Sequence, residues 1–590
     1  MSARRALLAA ALCAVVLLTG CLGIRADDAI RVGLDVQEPA AAPVYYLPAG
    51  PREGASPEEI IAGFLHADEV SGERLTIAQS YLTRRLVGSW DPSIRTDVID
   101  AAGRPDIHAQ SGGWYEISAD LVATIDGAGR MQASAPGSRA RLSVQLKRVG
   151  GEYRIDATSA GFGRWVRANV LDQVLRPVSL NYPAVGMRTL IPDIRWLPVT
   201  GLATGLARAQ FGPPPSYLDG AVETGLASAR LSVDAVPVRA GVATVTLASR
   251  PAYADPRTRA MVWAQLAATL SQAAAITGVE VSVEGAALDA PGVTPPLASA
   301  SVLGFEPVMV AAGVKPLVRI GGQLHPVDVA ALTSPGLDAA VTASPFPRIL
   351  PAWNRVALSA DGREVAAVGT NGDGLARYRQ DVSVEVAGFA DRLTGPTYDR
   401  FGMLWVGGRP LDPATVGRLW WLDASAASLA AGDNAAAQPI AASWLVDRLA
   451  VAVAFPADGA RIAVISTRAD GSDSRLDVAG VTRNAAGAPT AITGTSLRLG
   501  APLVELRDLV WISDRELAVL AGAEDRVRPF EVTLGDEIRE LPPLAGATSI
   551  TTIGGGRGLV IGTADGPYVR AGNRWQALPE AAEELVAAAR

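Results

Sequence analysis

Two well-separated stretches of the chain repeat one pattern: VALSADGREVAAVG at 356–369 and VAFPADGARIAVIS at 453–466. Fainter copies stand at 509–522 (LVWISDRELAVLAG) and 395–408 (GPTYDRFGMLWVGG). Each reads as a strand, a tight turn and a returning strand. Asp361-Gly362 and Asp458-Gly459 offer the positive φ that a two-residue hairpin requires. A unit of this size cannot bury its apolar face alone, so repeats must stack on one another. Taking Asp361, Asp399, Asp458 and Asp514 as equivalent marks gives spacings of 38, 59 and 56 residues, which implies insertions. At roughly 40–50 residues per unit, the chain from 305 to 590 predicts an all-β propeller of about six degenerate blades. A large β-sandwich is the competing architecture.

The Asp-Gly repeats resemble those of TolB-type propellers. Within them, Gly554, Gly555, Gly556, Arg557 and Gly558 tempt a phosphate-loop reading. A strand, LVIGT, follows, whereas such a loop needs a helix N-terminus, so a blade turn is expected. The oxygen-rich run Asp470, Gly471, Ser472, Asp473, Ser474 lacks the distal glutamate of a calcium loop and reads as a solvated hairpin.

The multidomain expectation continues upstream with α+β units. Over 46–170, Ser56 caps a helix, Pro57 suits its first turn, and Glu59 completes a capping box. A second helical face runs through Leu75, Ala78, Leu82 and Leu86. The period then changes to two, with alternation at Tyr115, Ile117, Ala119, Leu121, Ala123 and Ile125, at Leu142, Val144 and Leu146, and at Tyr153 and Ile155. Helices followed by a meander of long strands resemble the cones of nuclear-transport-factor-2-like domains. Over 177–290 a strand near Val242–Ala248 precedes a helix opened by Asp255 and Pro256. That helix buries Val262, Leu266, Leu270 and Ala273, and the strand Val279, Val281, Val283 follows. This passage, ending ITGVEVSVEG, resembles the GerMN domain.

At the other end of the chain, Arg4 and Arg5 precede 13 apolar residues, Ala6 to Leu18. A spanning helix needs about 20 such residues, and Arg25, Asp27 and Asp28 follow too soon. Residues 1–20 are therefore expected to be a signal peptide. Leu18, Thr19, Gly20, Cys21 resembles a bacterial lipobox, which implies lipidation of Cys21 and an extracytoplasmic chain held at the cell membrane. Residues 21–45, ending in Pro and Ala, read as a tether. Two acyl chains give on the order of 20 kcal/mol of gross anchoring, against marginal binding for one. The only other cysteine, Cys13, lies in the discarded segment, so no intramolecular disulfide and no multi-cysteine metal site is expected.

The formal charge of -7 argues against general nucleic-acid binding. His66, His108 and His325 stand far apart, none belongs to an HExxH motif, and no GxSxG turn supplies a nucleophile. The acid pairs Glu58-Glu59 and Glu583-Glu584 read as solvated faces. No catalytic, cofactor-binding or metal site is expected, and the chain is read as a binding module rather than an enzyme.

Lipobox, α+β unit, GerMN-like unit and propeller, in that order, resemble the LpqB lipoproteins of actinobacteria. The resemblance implies an accessory lipoprotein of the MtrAB two-component system that engages the extracytoplasmic part of the sensor kinase MtrB in envelope and cell-division signalling. A cell-wall glycan held by the 46–290 region is the alternative, and a hydrolase on the propeller, which needs clustered carboxylates at one channel mouth, is the third reading.

Overall fold

The computed structural model describes residues 49–588, apart from 69–74, 228, 249–254, 307–313, 334–336, 338–340, 381, 426–427, 429–435 and 524–525. Cys21 and the signal and tether segments lie outside the described residues.

The chain enters its first helix, Pro57–Asp68, through the expected box: the Glu59 N–H donates to Ser56 Oγ at 3.2 Å and the Ser56 N–H to Glu59 Oε2 at 2.9 Å. The single helix expected over Leu75–Leu86 is two, Leu75–Ser80 and Arg84–Val87. Leu82 is drawn into a parallel bridge with Ile155, and Thr83 restarts the helix by accepting from the Leu86 N–H. The long strands Trp114–Asp126 and Arg139–Val149 anchor a seven-stranded sheet. Its buried side, including Ile117, Leu142, Val144 and Ile155, packs on Ile60, Ile61 and Phe64 of the first helix.

A hairpin, Leu175–Pro183 with Leu190–Pro198, leads into the second unit. There Val242–Leu247 and Gly278–Val283 pair in parallel around the helix Pro256–Leu270, whose first turn is capped by Asp255 accepting from the Thr258 N–H at 2.9 Å. Val262, Leu266, Leu270 and Ala273 are buried, as their spacing predicts.

Downstream, six sheets ring one channel, which decides against the sandwich. Their inner strands are Trp353–Leu358, Thr397–Tyr398, Arg448–Ala454, Leu506–Trp511, Ser549–Thr552 and Glu584–Val586. Asp361, Asp399, Asp458 and Asp514 each occupy the turn after the inner strand of blades one to four, so the four marks are equivalent. The turns themselves are longer than two residues. Leu358 pairs with Val365, and only glycine takes positive φ, 72° at Gly362 and 67° at Gly459. The aspartate contributes its side chain instead: Asp361 Oδ1 accepts from the Arg363 N–H at 3.0 Å.

Glu583 is exposed, as expected, but Glu584 is not part of a solvated tail. Glu584–Val586 is the inner strand of the sixth blade and pairs with Leu317–Ile320 from the start of the propeller. The end of the chain thus closes the ring, and this long-range pairing overrides the helical propensity of the alanine- and glutamate-rich terminus. Separate apolar cores fill the gaps between blades, among them Val406 and Trp420 against Val368, Trp405 against Ile462, and Val586 against Leu358.

The α+β units are fused to this ring. Leu180, Tyr182, Ile191, Ile194, Tyr217 and Leu218 share one continuous core with Ala454, Leu476, Leu509 and Trp511 of blades three and four. Trp196 completes a core with Val98, Ile125 and Val166 of the first unit, and its backbone N–H donates to Gly129 O at 2.7 Å.

Candidate binding site: the propeller channel

The inner strands enclose a cavity of about 890 Å³. Charged residues line it at the end where these strands begin: Arg319, Arg355, Arg392, Arg507, Asp508, Glu583 and Glu584. Clustered carboxylates therefore do stand in the channel, but two of them are engaged by backbone. Asp508 accepts from the Ile550 N–H of the next blade at 2.8 Å and from the Leu509 N–H at 2.9 Å. Glu584 accepts from the Val356 N–H of blade one at 3.3 Å and lies 3.5 Å from Arg319. Burial pushes the Asp508 carboxyl up to about 6, against the two N–H groups and Arg355. Burial likewise raises Glu584, opposed by the Val356 N–H and Arg319. Both acids act as staples between adjacent inner strands.

Farther along, a second set of buried polar groups stitches the blades. Tyr398 Oη donates to Glu364 Oε1 at 3.1 Å, and Glu364 also takes Arg377 at 2.8 Å. Arg483 of blade three forms a 2.8 Å ion pair with Asp399 of blade two. Arg461, fully buried, spans from Asp458 to the backbone carbonyl of Asp514 on blade four at 2.7 Å.

The remaining residues singled out in the sequence do not converge. His66 lies in the first helix, His108 on an exposed strand, and His325 in the closing blade, where Nδ1 is 2.9 Å from Thr342 O. Gly554–Gly558 forms the turn between the strands Ser549–Thr552 and Leu559–Thr563, and Thr552 Oγ1 donates to Gly555 O at 2.6 Å. In the 470–474 hairpin, Asp470 accepts from Ser472, while Arg475 at 2.7 Å and Arg448 at 3.1 Å occupy Asp473. Burial pushes Asp473 up, but these arginines leave its carboxyl below the usual range.

Sequence reasoning missed the channel arginines and Asp508. One signal was present: Asn354-Arg355, Arg507-Asp508 and Glu583-Glu584 each stand directly before the apolar run of an inner strand. Without the ring, such pairs look like strand-end solubilisers.

Three family models match the chain: "Lipoprotein LpqB, N-terminal domain" over 50–171, "Sporulation and spore germination" over 181–289, and "Lipoprotein LpqB beta-propeller domain" over 331–586. "Lipoprotein LpqB" of Thermobifida fusca is 26% identical over 567 residues, 87% of this chain and 86% of that one. The protein of that name from Streptomyces coelicolor is 27% identical over 557 residues, 86% and 84% of the two chains. That from Mycobacterium paratuberculosis is 26% identical over 467 residues, 75% and 74%. Both LpqB domain models thus match in order and relatives named Lipoprotein LpqB align along most of their length, so over most of its length the chain is similar to the LpqB lipoproteins.

Proposed function

We propose that this chain is a lipid-anchored accessory protein on the extracytoplasmic face of the cell membrane, where it binds the sensor kinase MtrB of an MtrAB-type system and modulates envelope and cell-division signalling. Similarity to proteins named Lipoprotein LpqB supports the anchor, and Cys21 is its attachment point in this reading. Among the described residues no helix is long and apolar enough to cross a membrane.

The observation that carries the binding role is the continuous core between the α+β units and blades three and four. An interface built like a domain interior holds its partners in one orientation, unlike the polar contacts of mobile domains. Such a body presents a fixed composite surface, which suits recognition of another protein. Binding is favoured over hydrolysis because Asp508 and Glu584 already accept backbone N–H groups. A general acid or base needs its carboxyl within reach of substrate.

The test is photocrosslinking from the membrane-bound protein in intact cells. Recovery of the sensor kinase is the expected result. Crosslinks that include neither the kinase nor another envelope protein, with Cys21 correctly lipidated, overturn the reading.

A further inference from the structure

We propose that the charged mouth of the propeller channel is a binding site for a small hydroxyl-bearing anion, a sugar carboxylate or a sugar phosphate. The inference goes beyond kinase recognition and stands independently of it.

The cavity volume, about 890 Å³, lies within the roughly 300–1,000 Å³ typical of small-molecule sites. Three inner strands break register at the same end, between Asn354 and Ala357, between Ala450 and Ala452, and between Leu506 and Asp508. A bulge re-aims side chains, and here the displaced residues include Arg355 and Arg507, both lining the cavity. Arg355 and Arg392 hold left-handed backbone, each with φ of 50°. Neither is a glycine or asparagine, and backbone of this kind concentrates at sites where the position of a side chain matters.

The balance of hydrogen-bonding groups sets the sign of the ligand. A guanidinium carries five N–H donors. Arg355 donates Nη1 to Leu393 O at 3.0 Å, and Arg507 donates Nε to Gly522 O at 3.0 Å with Glu505 a further 3.5 Å from Nη2. Arg392 makes no hydrogen bond with its guanidinium among the described residues. Asp508 and Glu584, in contrast, are taken by N–H groups and Arg319, which leaves the exposed Glu583, 3.5 Å from Arg319, as the one carboxylate against three arginines. The uncommitted capacity at the mouth is thus cationic and donor-rich, which is the chemistry that holds a carboxylate or phosphate in a fork of N–H groups. Ser549 and Thr551 line the same cavity and offer hydroxyls to a polyhydroxylated body.

Isothermal titration of the full-length lipidated protein in detergent, with glucuronate, glucose 6-phosphate and neutral glucose as probes, tests the proposal. Saturable one-site heat is expected with at least one sugar anion, weakening as salt is raised, with glucose silent. The tighter of the two anions tells a carboxylate ligand from a phosphate ligand. Arg392→Gln and Arg507→Gln are each expected to weaken that binding roughly tenfold, the loss of a charge-assisted contact. Arg392→Gln, which removes no hydrogen bond of the fold, is expected to leave the unliganded melting temperature unchanged. Absence of saturable heat with both anions, equal affinity for glucose, or unaltered binding in both variants overturns the proposal.

Discussion

The carboxylate of Asp536, in the outer hairpin turn of blade four, accepts a 2.7 Å hydrogen bond from the backbone N–H of Ala133, 403 residues earlier in the chain. Its other oxygen accepts from the Gly500 N–H, also at 2.7 Å, at the end of blade three. Next to it, Gly535 O accepts from Trp196 Nε1 at 3.2 Å. One short turn therefore touches the first unit, the second unit and two blades. Asp536→Ala strands two buried N–H groups, each worth about 1–3 kcal/mol when left unpaired. A loss of roughly 2–6 kcal/mol in chemical denaturation is expected, together with faster proteolytic release of the 49–171 region. Asp536 has φ of 59°, so Asp536→Gly serves as the strain-free control and should lose nearly as much.

The same residue makes stability depend on pH. Burial pushes Asp536 up to about 6, opposed by its two N–H partners. Its ordinary value is 3.8, so between about 4 and about 6 the folded state holds a proton that the unfolded state has lost. The stabilisation is complete below the lower value and disappears as pH rises through the upper one, a change of about 3 kcal/mol. Melting curves from pH 4 to 7 should show a shallower fall in Asp536→Asn than in the parent protein. Identical slopes in the two would rule this out.

What could be read from the sequence was what neighbouring residues decide. Ser56 and Glu59 lie three apart and form their box, and the aspartates at 361, 399, 458 and 514 mark equivalent turns because each turn is local. Asp536 gave no such signal: LGDE is an ordinary turn until Ala133 and Gly500 arrive from elsewhere. Glu584 likewise looked solvated, because its partners Val356 and Arg319 are brought to it only by ring closure. The channel arginines were invisible for the same reason.

Asp399 is expected to be the most sensitive of the turn aspartates. It is fully buried, pairs with Arg483 and accepts from Trp405 Nε1 at 2.8 Å, from the Phe401 N–H at 2.9 Å and from the Met403 N–H at 3.0 Å. Asp399→Ala leaves a buried guanidinium without its counter-ion, at a cost of about 3–5 kcal/mol. The double variant Asp399→Ala with Arg483→Met should recover part of that loss, because the buried charge goes with its partner. Denaturation midpoints of the two variants, compared with the parent, measure the effect.

Cys21→Ser should move the protein from the membrane fraction to the soluble extracytoplasmic fraction. The anchor in this reading is a pair of acyl chains on one sulfur, and two chains are what separates stable from marginal attachment. Fractionation with immunodetection checks it, and retention of the serine variant on the membrane would contradict the lipobox reading.

Removal of the closing strand tests whether the propeller depends on its last residues. Leu317, Val318 and Arg319 pair with Val586, Leu585 and Glu584, and Leu585 and Val586 are buried in two different gaps, against Val318 and Val560 and against Leu358 and Val365. A stop after Pro579 removes this inner strand, exposes the edge of Leu317–Ile320 and empties both gaps. An unpaired edge next to bared apolar surface promotes association between chains. The truncated protein should be aggregated or protease-sensitive through the propeller. Leu585→Ala, a milder change, should cost about 2–5 kcal/mol as a buried Leu truncation and leave the ring closed. Equal stability of the truncated and intact proteins would show that five blades suffice without the terminal strand.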